Sequence, residues 1–192
     1  YKKFENRLEI RNVEEFNSDK VIKFVKRLKA DSCFVSGAPL IKKNLLKALP
    51  KYTINLHLGL IPHYKGTITV FWPFYFLEPT MVGTTYHIID QFVDTGEIIH
   101  QNVPKLRLGD SMHETSCKAI NAGLADLNKV VSFTKKRIQK NIKSKKDKTL
   151  RVKGKLFKNS DWRPEMLRVI YDYFNDKIVD LYLTNKIKCK KP

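Results

Sequence analysis

The sequence predicts an α/β protein with a largely parallel sheet, and two observations lead to this prediction. Short apolar stretches such as DSCFVSG and TINLHL alternate along the chain with segments of helical periodicity. Hydrophobic residues make up 42 % of the 192 residues, which is enough for one domain with a substantial core. Ligands of such sheets bind where strands end at their carboxyl side, so we look for chemistry at the ends of the predicted strands.

The first half of the chain predicts two strands and three helices. Ser18 can cap a helix over 18–29, and a buried strand follows over 31–37. Pro39 opens a short helix that ends near Pro50, because proline is tolerated in a first turn and breaks a helix interior. TINLHL is the second strand, and 67–77 is predicted as a buried helix.

The second half predicts two more strands and a helical end. Strands are expected over 81–89 and 97–101, with a loop over 90–96, and one long helix over 111–140. Pro164 lies in the first turn of a predicted helix, and a shorter helix covers 178–183. This organisation predicts a main domain over 1–140, a basic linker over 141–155 and a small helical segment over 156–192.

Positive charge dominates the composition. The chain has 37 Lys and Arg against 19 Asp and Glu, a net charge of +18, and residues 135–155 hold eleven of the basic residues and one acid, Asp147. This basic run can be a solvated helix end and linker, or it can attract a polyanion such as RNA or an anionic substrate. The run has no aromatic residue, so stacking on single strands is not indicated.

Several classes of protein are disfavoured by what the sequence lacks. The longest apolar run, TVFWPFYFL, is too short to span a bilayer and contains Pro73. The three cysteines are isolated and the five histidines have no metal-binding spacing, so no disulfide framework and no metal site are expected. We expect a cytoplasmic protein with no membrane partner; a homodimer is among the assemblies left open.

Asn55 and His57 alternate with apolar residues in INLHL at the end of the second strand. Since side chains on a strand have a period of two, the amide and the imidazole share one face. The simplest interpretation is the wet face of a half-buried strand. A second interpretation is a site that combines a hydrogen-bond donor with a proton carrier.

Asp94 opens an Asp-Thr-Gly, the tripeptide of aspartic proteases. A protease of that type needs two such aspartates that share a proton, and this chain has one Asp-Thr-Gly in an α/β context. The protease interpretation is therefore disfavoured, and Asn55 and His57 are better partners for Asp94.

These residues resemble those of the folate-dependent formyltransferases, which include glycinamide ribonucleotide transformylase, methionyl-tRNA formyltransferase and sugar N-formyltransferases. The family pattern is Asn-x-His at a strand end, a Leu-Leu-Pro-x-Tyr-Lys/Arg-Gly-like loop and, about forty residues on, Asp-x-Gly. The chain reads NLHLGLIPHYKG over 55–66 and GTTYHIIDQFVDTGEIIHQ over 83–101. The resemblance covers roughly 21–101, and it implies a Rossmann-like α/β fold of the formyltransferase type.

The resemblance implies an enzyme that transfers a formyl group from 10-formyltetrahydrofolate to an amine. It implies a catalytic set of Asn55, His57 and Asp94, in which Asn55 would stabilise an oxyanion and His57 and Asp94 would handle protons. It implies a folate pocket between two loops, whose candidate residues here are Gly37, Leu40, Ile41, Ile88, Ile89, Asp90 and Val93. Tyr64 and Lys65 are candidates for contact with the amine substrate.

The aromatic segment TVFWPFYFLEP and the tail LRVIYDYFNDKIVDLYL resemble those of sugar N-formyltransferases, which implies a nucleotide-linked amino sugar as substrate. The basic run keeps a methionyl-tRNA formyltransferase-like activity open as an alternative. Two further hypotheses are a non-catalytic module that binds nucleic acid and a degenerate domain that binds folate without turnover.

The sequence departs from the family at its beginning. Family members begin with βαβ units, whereas only residues 1–17, which begin at Tyr1 and not at a methionine, precede the first predicted helix here. We therefore expect an N-terminally incomplete catalytic domain, with exposed apolar sheet edges that limit activity unless a partner covers them.

Overall fold

A computed structural model describes residues 6–145 and 148–189. Within these residues, none of the helices is both long enough and apolar enough to cross a membrane. The strands are β1 Ser32–Ser36, β2 Tyr52–His57, β3 Tyr64–Gly66, β4 Thr84–Ile88, β5 Ile98–Asn102 and β6 Lys155–Phe157. The α-helices are α1 Asp19–Leu28, α2 Lys43–Ala48, α3 Trp72–Tyr75, α4 Met112–Ala125, α5 Leu127–Gln139, α6 Thr149–Val152 and α7 Ile178–Leu183.

Four strands form the main sheet in the order β1-β2-β4-β5. The first pair, β1 and β2, is parallel, whereas β4 is antiparallel to both of its neighbours. The α/β class holds, but these directions differ from the largely parallel arrangement that the alternation of elements suggested. The connection from β4 to β5 is a short loop without a helix, and parallel strands need a longer crossover.

The two faces of the main sheet have different surroundings. On one face, Ile54 and Leu56 of β2 and Tyr86 of β4 pack with Val130 of α5 in a buried cluster. Tyr86 also donates a hydrogen bond to the carbonyl of Gly123 in α4, at 2.9 Å. The alternate residues of β2 and β4 therefore face the opposite side, where the candidate site lies.

The C-terminal segment contributes to the larger hydrophobic core. Phe157, Ile170 and Ile178 are buried against Trp72 and Phe74 of the aromatic segment. The rings of Trp72 and Phe157 stack with centroids 4.5 Å apart, and β6 pairs in parallel with β3. The division of the chain into a main domain, a linker and a tail remains a prediction, but these contacts fasten the tail to residues 64–74.

Several element boundaries differ from the sequence-based expectation. The helix predicted over 111–140 is two helices, α4 and α5, with Asp126 between them, whose carboxylate binds His100 at 2.9 Å and Lys129 at 2.5 Å. The helix predicted over 67–77 shortens to α3. Pro164 begins a 3-10 turn, Pro164–Met166, and a π-helical turn, Val169–Tyr173, follows it.

The N-terminal edge of the sheet is open. No strand precedes β1 among residues 6–31, which contain a 3-10 turn, Glu14–Asn17, and α1. Phe34 of β1 is 37 % exposed, and β1 has a sheet neighbour on one side only. That the catalytic domain is N-terminally incomplete stays a prediction.

Candidate active site

Asn55 and His57 lie on the open face of β2, as the alternation predicts. The antiparallel register pairs Asn55 with His87 and His57 with Thr85 of β4, so these four side chains share a face. His57 and His87 are almost fully buried, with exposed fractions of 6 % and 2 %, and Asn55 is half-buried. Two imidazoles and an amide are thus grouped in a region from which water is largely excluded.

Asp94 completes this group from the loop over residues 89–97, which we call the site loop. Its Oδ2 lies 3.4 Å from Nδ1 of His57 and accepts a 2.7 Å hydrogen bond from the amide of Gly66. Its Oδ1 lies 3.3 Å from Nε2 of His87. The structure therefore brings together Asn55, His57 and Asp94. Asn55 and Asp94 are 39 positions apart in the sequence.

His57 is held in a defined orientation. Its Nε2 lies 2.8 Å from the carbonyl oxygen of Tyr64 and must donate to it, because a carbonyl can only accept. In the neutral ring, Nδ1 is then the unprotonated nitrogen, and it faces Asp94. Burial lowers the pKa of His57, although the charge of Asp94 and the bond to the Tyr64 carbonyl oppose this effect. The ring is therefore neutral near pH 7, with its unprotonated nitrogen, Nδ1, toward the carboxylate of Asp94.

Gly59 makes this orientation of His57 sterically possible. A Cβ at Gly59 would lie 2.7 Å from Nε2 of His57, 2.8 Å from the Tyr64 carbonyl oxygen and 2.8 Å from Cβ of Thr69. Any side chain here would push apart the imidazole and the carbonyl that fixes it. The requirement arises from a contact with Tyr64 that the sequence does not show.

His87 is the functional candidate that sequence reasoning missed. Its Nδ1 lies 3.1 Å from the carbonyl oxygen of Ile88 and donates to it, which leaves Nε2 as the nitrogen that faces the site. That Nε2 is 3.2 Å from Nδ2 of Asn55 and 3.3 Å from Asp94. A neutral His87 accepts from the Asn55 amide, whereas a protonated one donates to Asp94.

The charges of this group favour an ionised Asp94. Burial alone would raise the pKa of the Asp94 carboxyl, but the hydrogen bond from His87, the charges of His57 and His87 and the amide of Gly66 outweigh it. The result is a pKa below the ordinary value of 3.8. Asp94 is therefore a carboxylate held between two imidazoles.

Internal contacts fix the path of the site loop. Oδ1 of Asp90 accepts from the amide of Phe92 at 2.9 Å and from the hydroxyl of Thr95 at 2.8 Å. A Cβ at Gly96 would lie 1.6 Å from the carbonyl oxygen of Ile88, so the backbone can approach there only without a side chain. Asp94 itself has a φ of 49°, a left-handed conformation that Asp tolerates better than most residues.

The candidate folate residues lie on two separate stretches. Gly37, Leu40 and Ile41 follow β1, and Leu40 is 68 % exposed although Asn17 binds its carbonyl oxygen. The side chain of Ile88 packs in the core on the other face of the sheet. Ile89 and Asp90 are half-buried, and Val93 is 37 % exposed.

The register places these two stretches on either side of Asn55. Ser36, the last residue of β1, is level with Leu56, and Ile88, the last residue of β4, is level with Ile54. The first stretch leaves β1 beyond the level of Leu56. The second leaves the antiparallel β4 beyond the level of Ile54, where the amide of Ile89 donates to the carbonyl oxygen of Thr53 at 2.8 Å. Their assignment to a folate pocket remains a prediction.

Tyr64 and Lys65 are both buried and engaged within the protein. The Tyr64 ring stacks on Phe157 and its hydroxyl donates to Glu78 at 2.5 Å, and burial together with this carboxylate raises the pKa of the phenol. Nζ of Lys65 donates to the carbonyl oxygens of Leu150 and Arg151 at 3.0 and 3.1 Å. Their predicted contact with substrate is untested, and these bonds give them a supporting role.

Comparison with known proteins gives a family match and several relatives. A family model described as Formyl transferase matches residues 3–131. A methionyl-tRNA formyltransferase of Thermodesulfovibrio yellowstonii is 34 % identical over 90 residues, which are 46 % of this chain and 29 % of the relative. A GDP-perosamine N-formyltransferase of Brucella melitensis is 32 % identical over 92 residues, 48 % of this chain and 35 % of the relative. The chain thus spans about a third of the length of these relatives.

Solved structures share the fold. The formyltransferase PseJ of Anoxybacillus kamchatkensis, in complex with UDP-4,6-dideoxy-4-formamido-L-AltNAc and tetrahydrofolate, has a TM-score of 0.56 and 24 % identity, over 80 % of this chain and 77 % of PseJ. A sugar N-formyltransferase of a Shewanella species has a TM-score of 0.60 and 20 % identity, over 79 % of this chain and 56 % of that one.

Proposed function

Because this chain belongs to the formyl transferase family, we propose that it carries the catalytic face of a folate-dependent N-formyltransferase. The proposed reaction transfers a formyl group from 10-formyltetrahydrofolate to the amino group of an acceptor. The observation that supports it most directly is the arrangement of Asp94 between His57 and His87, next to the amide of Asn55.

This arrangement fits the proton balance of formyl transfer. The attacking amine gives up a proton as its nitrogen bonds to the formyl carbon, and the folate nitrogen regains a proton as its bond to that carbon breaks. Bound folate supplies the formyl group in an activated form. The protein must therefore accept a proton and return it, and Asp94 with His57 can do both at short range.

Asn55 is the proposed donor to the formyl oxygen as that oxygen gains negative charge. One N–H of its amide points at Nε2 of His87, 3.2 Å away, which fixes the orientation of the side chain. The second N–H is then available to a substrate oxygen. A neutral donor held in place before the reaction lowers the barrier without a change of its own charge.

The acceptor that we propose is the amino group of a nucleotide-linked amino sugar. The names of the PseJ complex and of the Brucella relative support this choice, and so does the likeness of the aromatic segment to those of sugar N-formyltransferases. A methionyl-tRNA formyltransferase-like activity is a second candidate, because one relative has that name and the chain carries a basic run. A cytoplasmic location and a homodimer remain predictions.

Calorimetry with a stable 10-formyltetrahydrofolate analogue tests the proposal. We expect micromolar binding by the wild-type chain, followed by formyl transfer to one member of a panel of nucleotide amino sugars. Asn55→Ala should lower the transfer rate about a hundredfold, because it removes the oxyanion donor. Asn121→Ala, an exposed change of the same type on α4, is the matched control and should leave the rate unchanged.

Two results would contradict the proposal. One is a folded wild-type chain that does not bind the analogue. The other is an Asn55→Ala variant that keeps more than half of the wild-type rate.

A further inference from the structure

A cavity of about 340 Å³ lies between part of the site loop and part of the basic run. Residues 88–91 and 95–97 form one wall. Ser144, Lys145, Lys148 and Arg151 form the other wall. Three predicted folate residues, Ile88, Ile89 and Asp90, line this cavity, whereas Gly37, Leu40 and Ile41 do not, so the cavity adjoins one of the two predicted folate loops.

Hydrogen bonds hold the second wall in place near residues 143–145. Arg137 binds both carboxylate oxygens of Glu97, at 2.8 and 3.0 Å, and donates to the carbonyl of Lys143 at 3.2 Å. The backbone amide of Lys145 donates to the same Glu97 carboxylate at 2.7 Å. Tyr52 adds a hydrogen bond from its hydroxyl to the carbonyl oxygen of Ile142.

A second set of bonds holds this wall near Arg151. The buried ammonium of Lys65 donates to the carbonyls of Leu150 and Arg151. The Arg151 guanidinium lies 4.2 Å from the ring centroid of Phe92 in the site loop, so it reaches across the cavity mouth. The wall is therefore fastened at both sides of the cavity, while its basic side chains stay exposed.

Three basic side chains at the cavity mouth have no ion-pair partner among the described residues 6–145 and 148–189. They are those of Lys145, Lys148 and Arg151, which we call the basic rim. Glu97, one of the two carboxylates that line the cavity, is paired with Arg137. The other, Asp90, is bound by the amide of Phe92 and the hydroxyl of Thr95. The mouth therefore has an excess of positive charge that suits an anion.

We propose that the basic rim is a subsite for the oxyanion groups of a substrate tail, either the glutamyl carboxylates of the folate or the phosphates of a nucleotide-linked acceptor. This inference rests on the proposed function, because that function supplies both anions. The cavity shares the site loop with the catalytic group, so a substrate that reaches Asp94 can extend its anionic end to the rim. Carboxylate and phosphate oxygens both form charge-assisted hydrogen bonds with Lys and Arg.

Inorganic pyrophosphate is the probe that tests the rim without folate. The rim variant is Lys148→Gln with Arg151→Gln, and the control variant is Lys135→Gln with Lys136→Gln, which removes two exposed charges from α5. We expect calorimetry at low salt to show affinity about tenfold lower in the rim variant, and changed less than about twofold in the control. Equal losses in both variants, or no binding of pyrophosphate by the wild type, would overturn the proposal.

Titrations with the substrates' own groups then identify the source of the anion. A folate tail predicts that a pentaglutamyl analogue binds the wild type about tenfold more tightly than the monoglutamyl one, and that this preference disappears in the rim variant. A nucleotide source predicts that uridine diphosphate loses affinity in the rim variant instead. If the rim binds pyrophosphate but the wild type binds no folate analogue, the proposed function fails while the anion subsite stands. If the rim variant changes neither ligand's binding, the assignment to a substrate tail is wrong.

Discussion

Asp94 and Glu97 are two carboxylates in the same loop, three positions apart, and their surroundings give them different tasks. Both side chains are largely buried, with exposed fractions of 10 % and 13 %. Asp94 lies 3.4 Å from the imidazole of His57 and 3.3 Å from that of His87. Glu97 forms two hydrogen bonds with the guanidinium of Arg137, at 2.8 and 3.0 Å. Burial would raise the pKa of each carboxyl, but its partners reverse the effect in both cases.

The difference lies in whether the partner can change its charge. Arg137 stays protonated at every pH the protein meets, and its bond with Glu97 raises its pKa further. The pair therefore fixes the structure and takes no part in proton movement. The partners of Asp94 are imidazoles, a group that can change its charge near neutral pH, and burial lowers the pKa of His57. Burial of a carboxylate alone does not make it a catalytic candidate; the chemistry of its partners makes Asp94 the candidate here and not Glu97.

Asp94→Asn should have the largest effect on activity. The amide keeps the shape of the side chain and tolerates the left-handed backbone, but it cannot accept a proton. We expect the turnover number to fall by at least about a hundredfold. The midpoint of thermal unfolding should change less than in any Glu97 variant. A steady-state assay and a melting curve on the same preparation measure the turnover number and the unfolding midpoint. Near-normal turnover would show that Asp94 is not needed for the reaction.

Glu97→Gln should show the opposite pattern. It leaves the buried charge of Arg137 without its partner, and we expect the free energy of unfolding to fall by about 3 kcal/mol. Urea unfolding measures this loss, and turnover per folded molecule should stay within about threefold of wild type.

A second change at Arg137 provides the control for this result. Glu97→Gln combined with Arg137→Met removes the unpaired charge and should recover part of the lost stability. A loss of turnover as large as that of Asp94→Asn, with unchanged stability, would show that the distinction between the two carboxylates is mistaken.

Gly59→Ala should reduce activity indirectly, because it disturbs His57, the partner of Asp94. The new methyl group would press on Nε2 of His57 and on the Tyr64 carbonyl, so we expect a stability loss of about 2 kcal/mol and a reduced turnover number. Gly109→Ala is the control, because its Cβ meets no atom within 4 Å and its cost comes from a φ of 85° alone. Turnover per folded molecule should fall in the first variant only; equal turnover in both would separate Gly59 from the function of His57.

The smallest effect concerns pH. Since burial lowers the pKa of His57 below 6.5, the folded protein binds fewer protons than the unfolded chain just below that pH. The contribution of His57 to stability is therefore complete above pH 6.5 and is lost as pH falls toward its lowered pKa, with a slope of at most about 1.4 kcal/mol per pH unit. The carboxylate of Asp94 contributes above its ordinary value of 3.8, and that contribution is lost at still lower pH.

Urea unfolding of wild type and His57→Gln between about pH 7.5 and about pH 5.5 measures the contribution of His57 to the pH dependence of stability. The variant should lose stability less steeply than wild type across that interval. A wild-type slope no greater than that of the variant would mean that His57 is not held neutral by burial.

The sequence predicts much of this site because its main signals are local. Alternation along β2 places Asn55 and His57 on one face, and a family resemblance adds Asp94; the family itself is confirmed. His87 could not be predicted in this way, because its position opposite Asn55 depends on the pairing of β2 with β4. A shift of one residue in that pairing would turn its side chain to the other face of the sheet. The requirement for glycine at position 59 is also not predictable from the sequence, because it comes from contacts with Tyr64 and Thr69.

Errors in the predicted elements have the same origin. Periodicity over 111–140 is compatible with a single helix, but the carboxylate of Asp126 binds His100 of β5 and Lys129, and the chain divides there into α4 and α5. The direction of β4 likewise depends on which strands lie beside it. Pairwise contacts between distant segments decide these features, and no window of sequence contains them.

The pairing of β3 with β6 has a consequence for the order in which the molecule matures during synthesis. Gly66, whose amide binds Asp94, lies in β3, and its neighbour Thr67 donates to the carbonyl of Phe157, in β6, at 2.9 Å. The ribosome makes residues 155–157 only after all four strands of the main sheet have emerged, and domains begin to fold as they emerge. The sheet can therefore form first, and the carboxylate reaches its final position only after residues 155–157 have been synthesised.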